Sequence, residues 1–460
     1  MRIEKDSMGE MEVPDNALYG ASTQRAVLNF PISGHALPAA FIHALGTVKW
    51  ACASANETLG RLPLEKSAFI QSAALEVECG KHDEHFPVDV FQTGSGTSSN
   101  MNINEVIANL ASLASGKPIG CKDPIHPNDD VNLGQSSNDI VPTVLHVSVA
   151  LALRDKLLPA INHLADLLQA KSQAFTDIIK IGRTHLMDAT PLTLGQEFSG
   201  YATQARKGAS RVKRAIDCLL ELAIGGTAVG TGINTHPEFG GAVCKNLTEK
   251  TGLAFREAEN HFEAQGARDD CVEVAGHLTA IATALTKVAN DIRFLGSGPR
   301  TGISEISLPS TQPGSSIMPG KVNPVMSEML VQSCIYVQGL SQSVAICGRD
   351  GHFELNVTLP LIAHCLHESI ECLSNGASTF ADRCVAGIEA NTRRCRELVE
   401  QSLMLVTALN PYIGYDNAAK VAKQAHAEGK TLKEVVLELK LLDESTLDQA
   451  LDPFTMVKPS

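Results

Sequence analysis

One segment of the sequence carries an apolar stripe along almost its whole length. Between positions 272 and 299, VEVAGHLTAIATALTKVANDIRFLGSGP, six apolar residues alternate steps of three and four: Leu278, Ile281, Leu285, Val288, Ile292 and Leu295. This spacing predicts a single long amphipathic helix, and the glycines and proline of GSGP predict its end. Comparable patterns predict four further long helices, at 140–168, 194–222, 325–344 and 355–373.

Long helices with this alternation typically pack nearly parallel in a bundle, and such helices often carry a second apolar face for other subunits. The strand signal is weak, since PVDVFQTG alternates over only a few residues and aromatic residues make up 4% of the chain. The tail after LNPYIGYDNAAKVAKQ reads as a small helical domain, in which EVVLELKLLDESTLDQAL predicts a helical pair. We predict a mainly α fold with three domains, at 1–138, 139–393 and 394–460, of which the central one is the bundle.

The charge of the chain limits its partners. A formal net charge of -13 without any basic block argues against nucleic acid or an anionic membrane surface as a partner. No segment is apolar for long enough to span a bilayer, and the first residues carry charges where a signal peptide needs an apolar run. These observations predict a cytoplasmic protein that captures any anionic ligand locally.

The twelve cysteines do not predict a metal or disulfide framework. They are scattered and form no CxxC pair, which is typical of reduced core thiols. In KHDEHF, His82 and His85 have a metal-like spacing, but no third ligand follows at a typical distance, so a short polar loop is the favoured interpretation.

Three loops share an unusual chemistry. TGSGTSSNMN (93–102), HPNDDVNLGQSSND (126–139) and GRTHLMDATP (182–191) are rich in Gly, Ser, Thr and Asn. Where such a loop leads into a helix, hydroxyls, amides and free N–H groups can receive an anion. Each feature also has an ordinary structural interpretation: the polar residues as helix caps, His185 as a structural histidine, and Glu328 as a carboxylate that compensates a helix dipole.

A fourth loop, PGSSIMPGKVNP (313–324), has three prolines and two glycines and therefore cannot be helix or strand. Asn323 and Pro324 form a good helix start with no function required. Lys321 is different, because a cation directly before a helix N-terminus opposes the macrodipole and calls for a compensating anion.

These motifs resemble a known superfamily. GSSIMPGKVNP resembles the signature shared by class II fumarases, aspartases, argininosuccinate lyases and adenylosuccinate lyases, which release fumarate or a relative from a succinyl unit. The resemblance to the class II fumarases runs from RIEKDSMGEMEVP to LNPYIGYDNAAK and includes TGSGTSSNMNINEVIAN, HPNDDVN, QSSNDIVPT, GRTHLMDATPLTLGQEF and AIGGTAVGTGIN. It implies the reversible hydration of fumarate to L-malate, a tricarboxylic acid cycle reaction, by anti addition or elimination of water through an aci-carboxylate intermediate.

The resemblance also implies residue roles. Ser315 corresponds to the base that takes the carbon-bound proton, and His185 acts through a bound water with Glu328 as its partner. The matching substrate-binding positions are Ser95, Gly96, Thr97, Ser136, Ser137, Asn138, Thr184, Ser316, Lys321, Val322 and Asn323. A peripheral dicarboxylate site matches His126, Pro127, Asn128 and Asp129. The family assembles as homotetramers whose sites combine three subunits, and neither a metal nor an organic cofactor is implied.

Two alternatives to a fumarase are an aspartate ammonia-lyase and a non-catalytic scaffold of the same fold. Aspartases tend to carry glutamine at the position of His185 and alanine at that of Gly320, so both residues favour fumarase. The scaffold is disfavoured because Ser315, His185 and Lys321 are all present.

Four positions depart from the family pattern. Ser98 and Met187 stand where glutamine is usual, and the 123–124 pair of Asp and Pro stands where basic residues are usual. The last change removes positive charge beside the peripheral site, which puts anion binding there in doubt.

Overall fold

The computed structural model describes residues 1–458, and within them the chain forms seventeen α-helices and ten short strands. The helices are α1 (Ala21–Asn29), α2 (Ala39–Thr58), α3 (Leu64–Glu78), α4 (Thr97–Ala114), α5 (Ser137–Ala152), α6 (Leu158–Ala174), α7 (Leu194–Asp217), α8 (Phe239–Thr251), α9 (His261–Gly266), α10 (Asp269–Leu295), α11 (Val325–Arg349), α12 (Leu359–Arg383), α13 (Thr392–Gln401), α14 (Asn410–Ile413), α15 (Tyr415–Glu428), α16 (Leu432–Glu438) and α17 (Glu444–Ala450). The strands are β1 (Arg2–Asp6), β2 (Gly9–Val13), β3 (Ile179–Thr184), β4 (Met187–Thr193), β5 (Glu221–Leu222), β6 (Arg256–Glu257), β7 (Ile306–Ser307), β8 (Gly351–His352), β9 (Leu355–Asn356) and β10 (Glu389–Ala390). The prediction of a mainly α fold is confirmed.

The five predicted long helices are present with shifted ends. α10 covers the apolar stripe from Leu278 to Leu295, and Asp269 and Asp270 in its first turn suit the helix dipole. The helix predicted at 140–168 consists of α5 and α6 joined by a π-helical turn, Leu153–Leu157. The prediction at 194–222 runs too far, because α7 ends at Asp217 and β5 follows.

The strands pair two by two, and within residues 1–458 no sheet has a third strand. β1–β2, β3–β4, β7–β10 and β8–β9 are antiparallel, whereas β5–β6 is parallel. PVDVFQTG forms no strand and contributes only a bridge between Ala36 and Asp89. The longest hairpin, β3–β4, is the one that carries GRTHLMDATP.

The contacts within the chain define two compact units. Unit 1 comprises Met1–Pro159, Ala209–Ala282 and Ser333–Ser374, and unit 2 comprises Ala160–Gly208, Thr283–Gln332 and Asn375–Ser460. The long helices α7, α10, α11 and α12 each have residues in both units. The three domains predicted from the sequence stay a prediction.

The C-terminal helices of unit 2 build a core of their own. Val399, Val421, Val436 and Leu447 are buried in one cluster together with Ile181 of β3. EVVLELKLLDESTLDQAL forms α16 and α17, as predicted. The hairpin β3–β4 is therefore anchored by packing, because its first strand is part of this core.

Two further expectations concern membranes and thiols. Among the helices of residues 1–458, none combines the length and apolar character needed to cross a bilayer. None of the twelve cysteines forms a disulfide, and eight are buried, as expected for core thiols; Cys79 and Cys121 are exposed.

Candidate active site

In unit 1, the loop with Ser95, Gly96 and Thr97 leads into α4. Gly96 is the residue before the helix and has a φ of +72°; a Cβ there would lie 2.7 Å from Val141 Cγ1. Only glycine fits both conditions. Ser95 is buried, and its Oγ lies 2.8 Å from Thr97 Oγ1. The loop is thus fixed by its backbone conformation and by its packing on α5.

Ser136 caps α5, and the loop around it is held by a buried carboxylate. Ser136 Oγ accepts from Asn138 N at 3.2 Å, and Asp139 Oδ1 accepts from Ser136 N at 2.8 Å. Asp139 Oδ2 also accepts from Gly225 N at 3.2 Å and Thr227 N at 3.0 Å. Burial raises the pKa of Asp139 to about 6, although these N–H donors lower it. The capping interpretation of SSND is confirmed, and Asp139 joins this loop to the glycine-rich AIGGTAVGTGIN segment.

A buried lysine that the sequence analysis did not single out lies below these loops. Lys49 is 1% exposed, and its Nζ donates to Asn132 Oδ1 at 3.1 Å and Gln135 Oε1 at 2.9 Å. Asn100 Nδ2 also donates to Asn132 Oδ1, at 3.1 Å, and to Ser137 Oγ, at 3.2 Å. Burial lowers the pKa of Lys49 to about 8. This network joins the α4 and α5 N-termini, and a lysine inside an otherwise apolar helix pattern was its only signal in the sequence.

The peripheral residues form one π-helical turn, Pro127–Val131, preceded by His126. His126 Nδ1 accepts from Asn128 N at 3.3 Å and Asp129 N at 3.2 Å. Asp123, one of the two departures beside this turn, pairs with Lys117 Nζ at 2.5 Å. The two backbone donors are therefore engaged within the turn itself.

In unit 2, Thr184 and His185 lie at the end of the β3–β4 hairpin. Thr184 pairs with Met187, so His185 and Leu186 alone form the turn. Both have left-handed φ angles, +57° and +63°, which side chains of this size rarely adopt. Strained backbone of this kind concentrates at functional sites. All four residues are exposed.

The loop with Ser315 and Lys321 is stabilised by its own hydrogen bonds. Ser315 Oγ accepts from Ile317 N at 3.1 Å and Met318 N at 3.0 Å. Lys321 Nζ donates to Asn323 Oδ1 at 2.8 Å. Asn323 Nδ2 in turn donates to Gly314 O at 2.8 Å, and Gly314 N donates to Lys321 O at 2.8 Å. Ser316, Lys321 and Val322 are exposed.

Glu328 lies in the first turn of α11 and is partly buried. Within residues 1–458, neither a hydrogen bond nor an ion pair joins it to His185. The structure thus brings the unit 1 binding residues together at two neighbouring helix N-termini, while in unit 2 the His185 turn and the 313–324 loop remain separate segments.

Within residues 1–458, one group of side chains has the spacing of a metal site. Cys218, Glu273 and His277 have one ligand atom each within 4.8 Å of the others. Burial and the nearby Arg214 lower the pKa of His277, and the positive charge there opposes a divalent cation. In KHDEHF, His82 Nε2 lies 3.0 Å from Glu76 Oε2, and the segment forms a short 3₁₀ turn.

Comparison with known proteins gives consistent results. A family model described as "Lyase" matches residues 9–339, and one described as "Fumarase C C-terminus" matches residues 405–458. "Fumarate hydratase class II" of Methylorubrum extorquens is 51% identical over 100% of this chain and 97% of its own length. The protein of the same name from Thermosynechococcus vestitus is 52% identical over 97% of this chain and 96% of its own length. The crystal structure of recombinant class II fumarase from Schistosoma mansoni is 40% identical, with a TM-score of 0.97 over 100% of this chain and 99% of that chain.

Proposed function

The chain belongs to the class II fumarate hydratase family of lyases and catalyses the reversible hydration of fumarate to L-malate, and from this premise we propose how its residues divide the reaction.

The two backbone donors to Ser315 carry the proposal. A serine hydroxyl is a weak base, and it becomes effective only where the alkoxide is stabilised. The N–H groups of Ile317 and Met318 both donate to Ser315 Oγ, and the same two donors would stabilise the alkoxide formed when the hydroxyl proton leaves. Ser315 is the base that removes the proton from the carbon beside a substrate carboxylate.

Removal of that proton places a second negative charge on the carboxylate, which becomes an aci-carboxylate. Lys321 provides a cation in the same loop, and within residues 1–458 only one of its three N–H donors is used, by Asn323. Lys321 and Asn323 therefore stabilise the charge that develops in the transition state.

The second half of the reaction moves a proton to or from the departing water. His185 is the residue for this step, because an imidazole can both donate and accept near neutral pH and because the strained turn exposes it. Glu328 is its proposed partner, and Thr184 positions the water.

The carboxylates of the substrate are held by neutral groups. The hydroxyls, amides and N–H groups of Ser95, Gly96, Thr97, Ser136, Ser137 and Asn138 in unit 1 serve this purpose, together with Ser316 and Val322 in unit 2. Helix N-termini favour anions at such positions. The peripheral turn has no role in the proposal, because its donors are engaged with His126.

Assembly and location are also proposals. The catalytic segments of unit 2 expose large apolar side chains: Ile317 is 82% exposed, Leu186 77% and Met187 69%. Leu186 and Met187 are adjacent in the hairpin, and a contiguous exposed apolar surface marks a contact surface. We propose that a homotetramer with shared active sites covers them and that the enzyme works in the cytoplasm.

A spectrophotometric assay tests the function. L-malate and then L-aspartate are supplied, and the appearance of fumarate is followed with and without EDTA. We expect fumarate from malate at a rate that EDTA does not change, and little from aspartate. Fumarate from aspartate alone would show that the substrate is wrong, and loss of activity with EDTA would show that a metal takes part.

A further inference from the structure

The strained His185 turn needs a restraint, because two adjacent residues with left-handed φ angles are unfavourable for His and Leu side chains. Neither residue is buried, so packing of their own side chains does not hold the turn. The restraint must come from the strands on either side of it.

Arg183, which is separated from the turn by Thr184, makes a two-pronged ion pair. Its Nη1 donates to Glu305 Oε2 at 3.0 Å and its Nη2 to Glu305 Oε1 at 3.1 Å. Glu305 is fully buried, whereas the Arg183 side chain is 17% exposed. A bidentate pair fixes orientation as well as distance. The strand register also shifts between Ile181 and Arg183, so regular pairing alone does not set the position of Arg183.

Lys180 is a second cation next to Glu305, and it is almost fully buried. Lys180 Nζ lies 2.7 Å from Glu197 Oε2 and 3.3 Å from Glu305 Oε2, and it donates to Ile181 O at 2.8 Å. The Lys180 side chain is only 2% exposed. Two cations thus face two carboxylates, and removal of one partner leaves an uncompensated buried charge.

Glu305 is also fixed through its backbone. Its N donates to Leu295 O at 2.9 Å, its O accepts from Asn391 N at 2.9 Å, and β7 begins at the next residue. From β7 the chain continues into the 313–324 loop. One buried carboxylate therefore contacts the hairpin of His185 and stands at the start of the segment that leads to Ser315.

We propose that Glu305 is a positioning residue for the hydration reaction: through Arg183 and Lys180 it holds the His185 turn in its strained conformation. The inference rests on the proposed role of His185. Nothing in it requires Glu305 to contact the substrate.

Three variants separate positioning from simple stability. Glu305→Gln keeps the shape and removes the charge, Arg183→Lys keeps the charge and removes the two-pronged geometry, and Glu197→Gln is the matched control, since Glu197 also pairs with Lys180 but does not contact Arg183. We expect kcat to fall about 10²-fold in Glu305→Gln and about tenfold in Arg183→Lys, because small displacements of a catalytic group cost this much. KM changes less than about threefold, because the carboxylate-binding loops are untouched, and Glu197→Gln keeps kcat within about threefold.

Chemical rescue adds a test that a stability effect does not pass. Arg183→Ala should lose activity and regain part of it with millimolar guanidinium, which can replace the missing fork beside Glu305. If Glu305→Gln does not fold, this variant and Arg183→Lys decide the matter. Normal kcat in Arg183→Lys together with absence of rescue in Arg183→Ala overturns the proposal.

Hydrogen exchange distinguishes failure of this inference from failure of the proposed function. The amides of residues 184–188 should exchange faster in Glu305→Gln and Arg183→Lys than in Glu197→Gln, whether or not the enzyme turns over. Unchanged exchange there overturns the positioning role. Faster exchange combined with full activity in His185→Asn instead shows that the turn is held as proposed but that His185 has no catalytic role.

Discussion

The polar loops of unit 1 and those of unit 2 are held in opposite ways. In unit 1, Asp139 and Lys49 are buried, and they bind the loop residues from below. In unit 2, the 313–324 loop is held by bonds among its own residues, and both it and the His185 turn are exposed. The loops of unit 1 are thus part of a packed core, whereas the 313–324 loop and the His185 turn lie at the surface.

This difference separates two tasks. Groups that bind an anion by fixed dipoles gain from rigid burial, because they need not reorganise when the ligand arrives. Groups that transfer protons lie on segments that close over the substrate and move away to release the product. Segments with few buried contacts make such movements most readily. The comparison therefore assigns most of the neutral binding groups to unit 1, and proton transfer together with the Lys321 cation to unit 2. Three experiments test that assignment.

The largest expected effect comes from Ser315→Ala. The variant removes the proposed base but leaves the unit 1 loops intact, so kcat should fall at least about 10²-fold, as for the loss of a positioned proton-transfer group. The dissociation constant of a competitive dicarboxylate should change far less. Both quantities are measured on the same preparations, by initial rates and by calorimetric titration.

Lys321→Met is the contrasting variant in the same loop. Because we propose that the Lys321 cation contacts a substrate carboxylate and stabilises the charge that grows on it in the transition state, both turnover and affinity should fall in this variant. If Ser315→Ala abolished binding as Lys321→Met does, or kept normal turnover, Ser315 would be a binding or structural residue.

The next effect concerns the exposure of the unit 2 segments. If one site takes His185 and Ser315 from different chains, mixed tetramers of His185→Asn and Ser315→Ala should regain activity. Random mixing places both intact residues at roughly a quarter of the sites, a gain of more than about tenfold over either parent. Subunit exchange is verified with two differently tagged chains, and proven exchange without any recovery would place both residues in one site of one chain.

The fold was largely predictable because its main signal is periodic. Apolar stripes predict α10 and α11 to within a turn or two at each end, whereas α12 continues to Arg383, well beyond the predicted end at 373. The ends are less predictable: the apolar pattern extends to position 222, but α7 stops at Asp217 and β5 follows. The π-helical turn at 153–157 also has no sequence signature, because it replaces helical hydrogen bonds without interrupting the apolar pattern.

The site residues were named through motif resemblance, but the groups below them were not. Their partners lie far away in the sequence: Lys49 contacts Gln135, and Glu305 contacts Arg183. A single sequence gives no pairing information for such contacts. What it does show is an isolated charge within an apolar pattern, as in KIGRT, and that charge is a reason to expect a buried partner.

The smallest expected effect comes from adding one methyl group to a glycine in each of the two regions. Gly96 and Gly320 both have left-handed φ angles, +72° and +80°, so alanine is strained at either position. A Cβ at Gly96 would also collide with Val141 Cγ1 at 2.7 Å, whereas no atom lies within 4 Å of one at Gly320. Gly96→Ala should therefore cost about 2–4 kcal/mol of unfolding free energy, and Gly320→Ala about 1 kcal/mol.

The two substitutions should also differ in their effect on binding. Gly96→Ala shifts the loop that carries Ser95 and Thr97, so the dissociation constant of a competitive dicarboxylate should rise about tenfold, the equivalent of roughly 1.4 kcal/mol. Gly320→Ala leaves the unit 1 loops unchanged, and its dissociation constant should stay within about threefold of the wild-type value because the exposed 313–324 loop can absorb the strain. Thermal unfolding and titration with the same inhibitor give both comparisons. Equal losses in the two variants would mean that the 313–324 loop is as rigidly built as the loops of unit 1, and the division between a buried binding region and an exposed catalytic one would then be wrong.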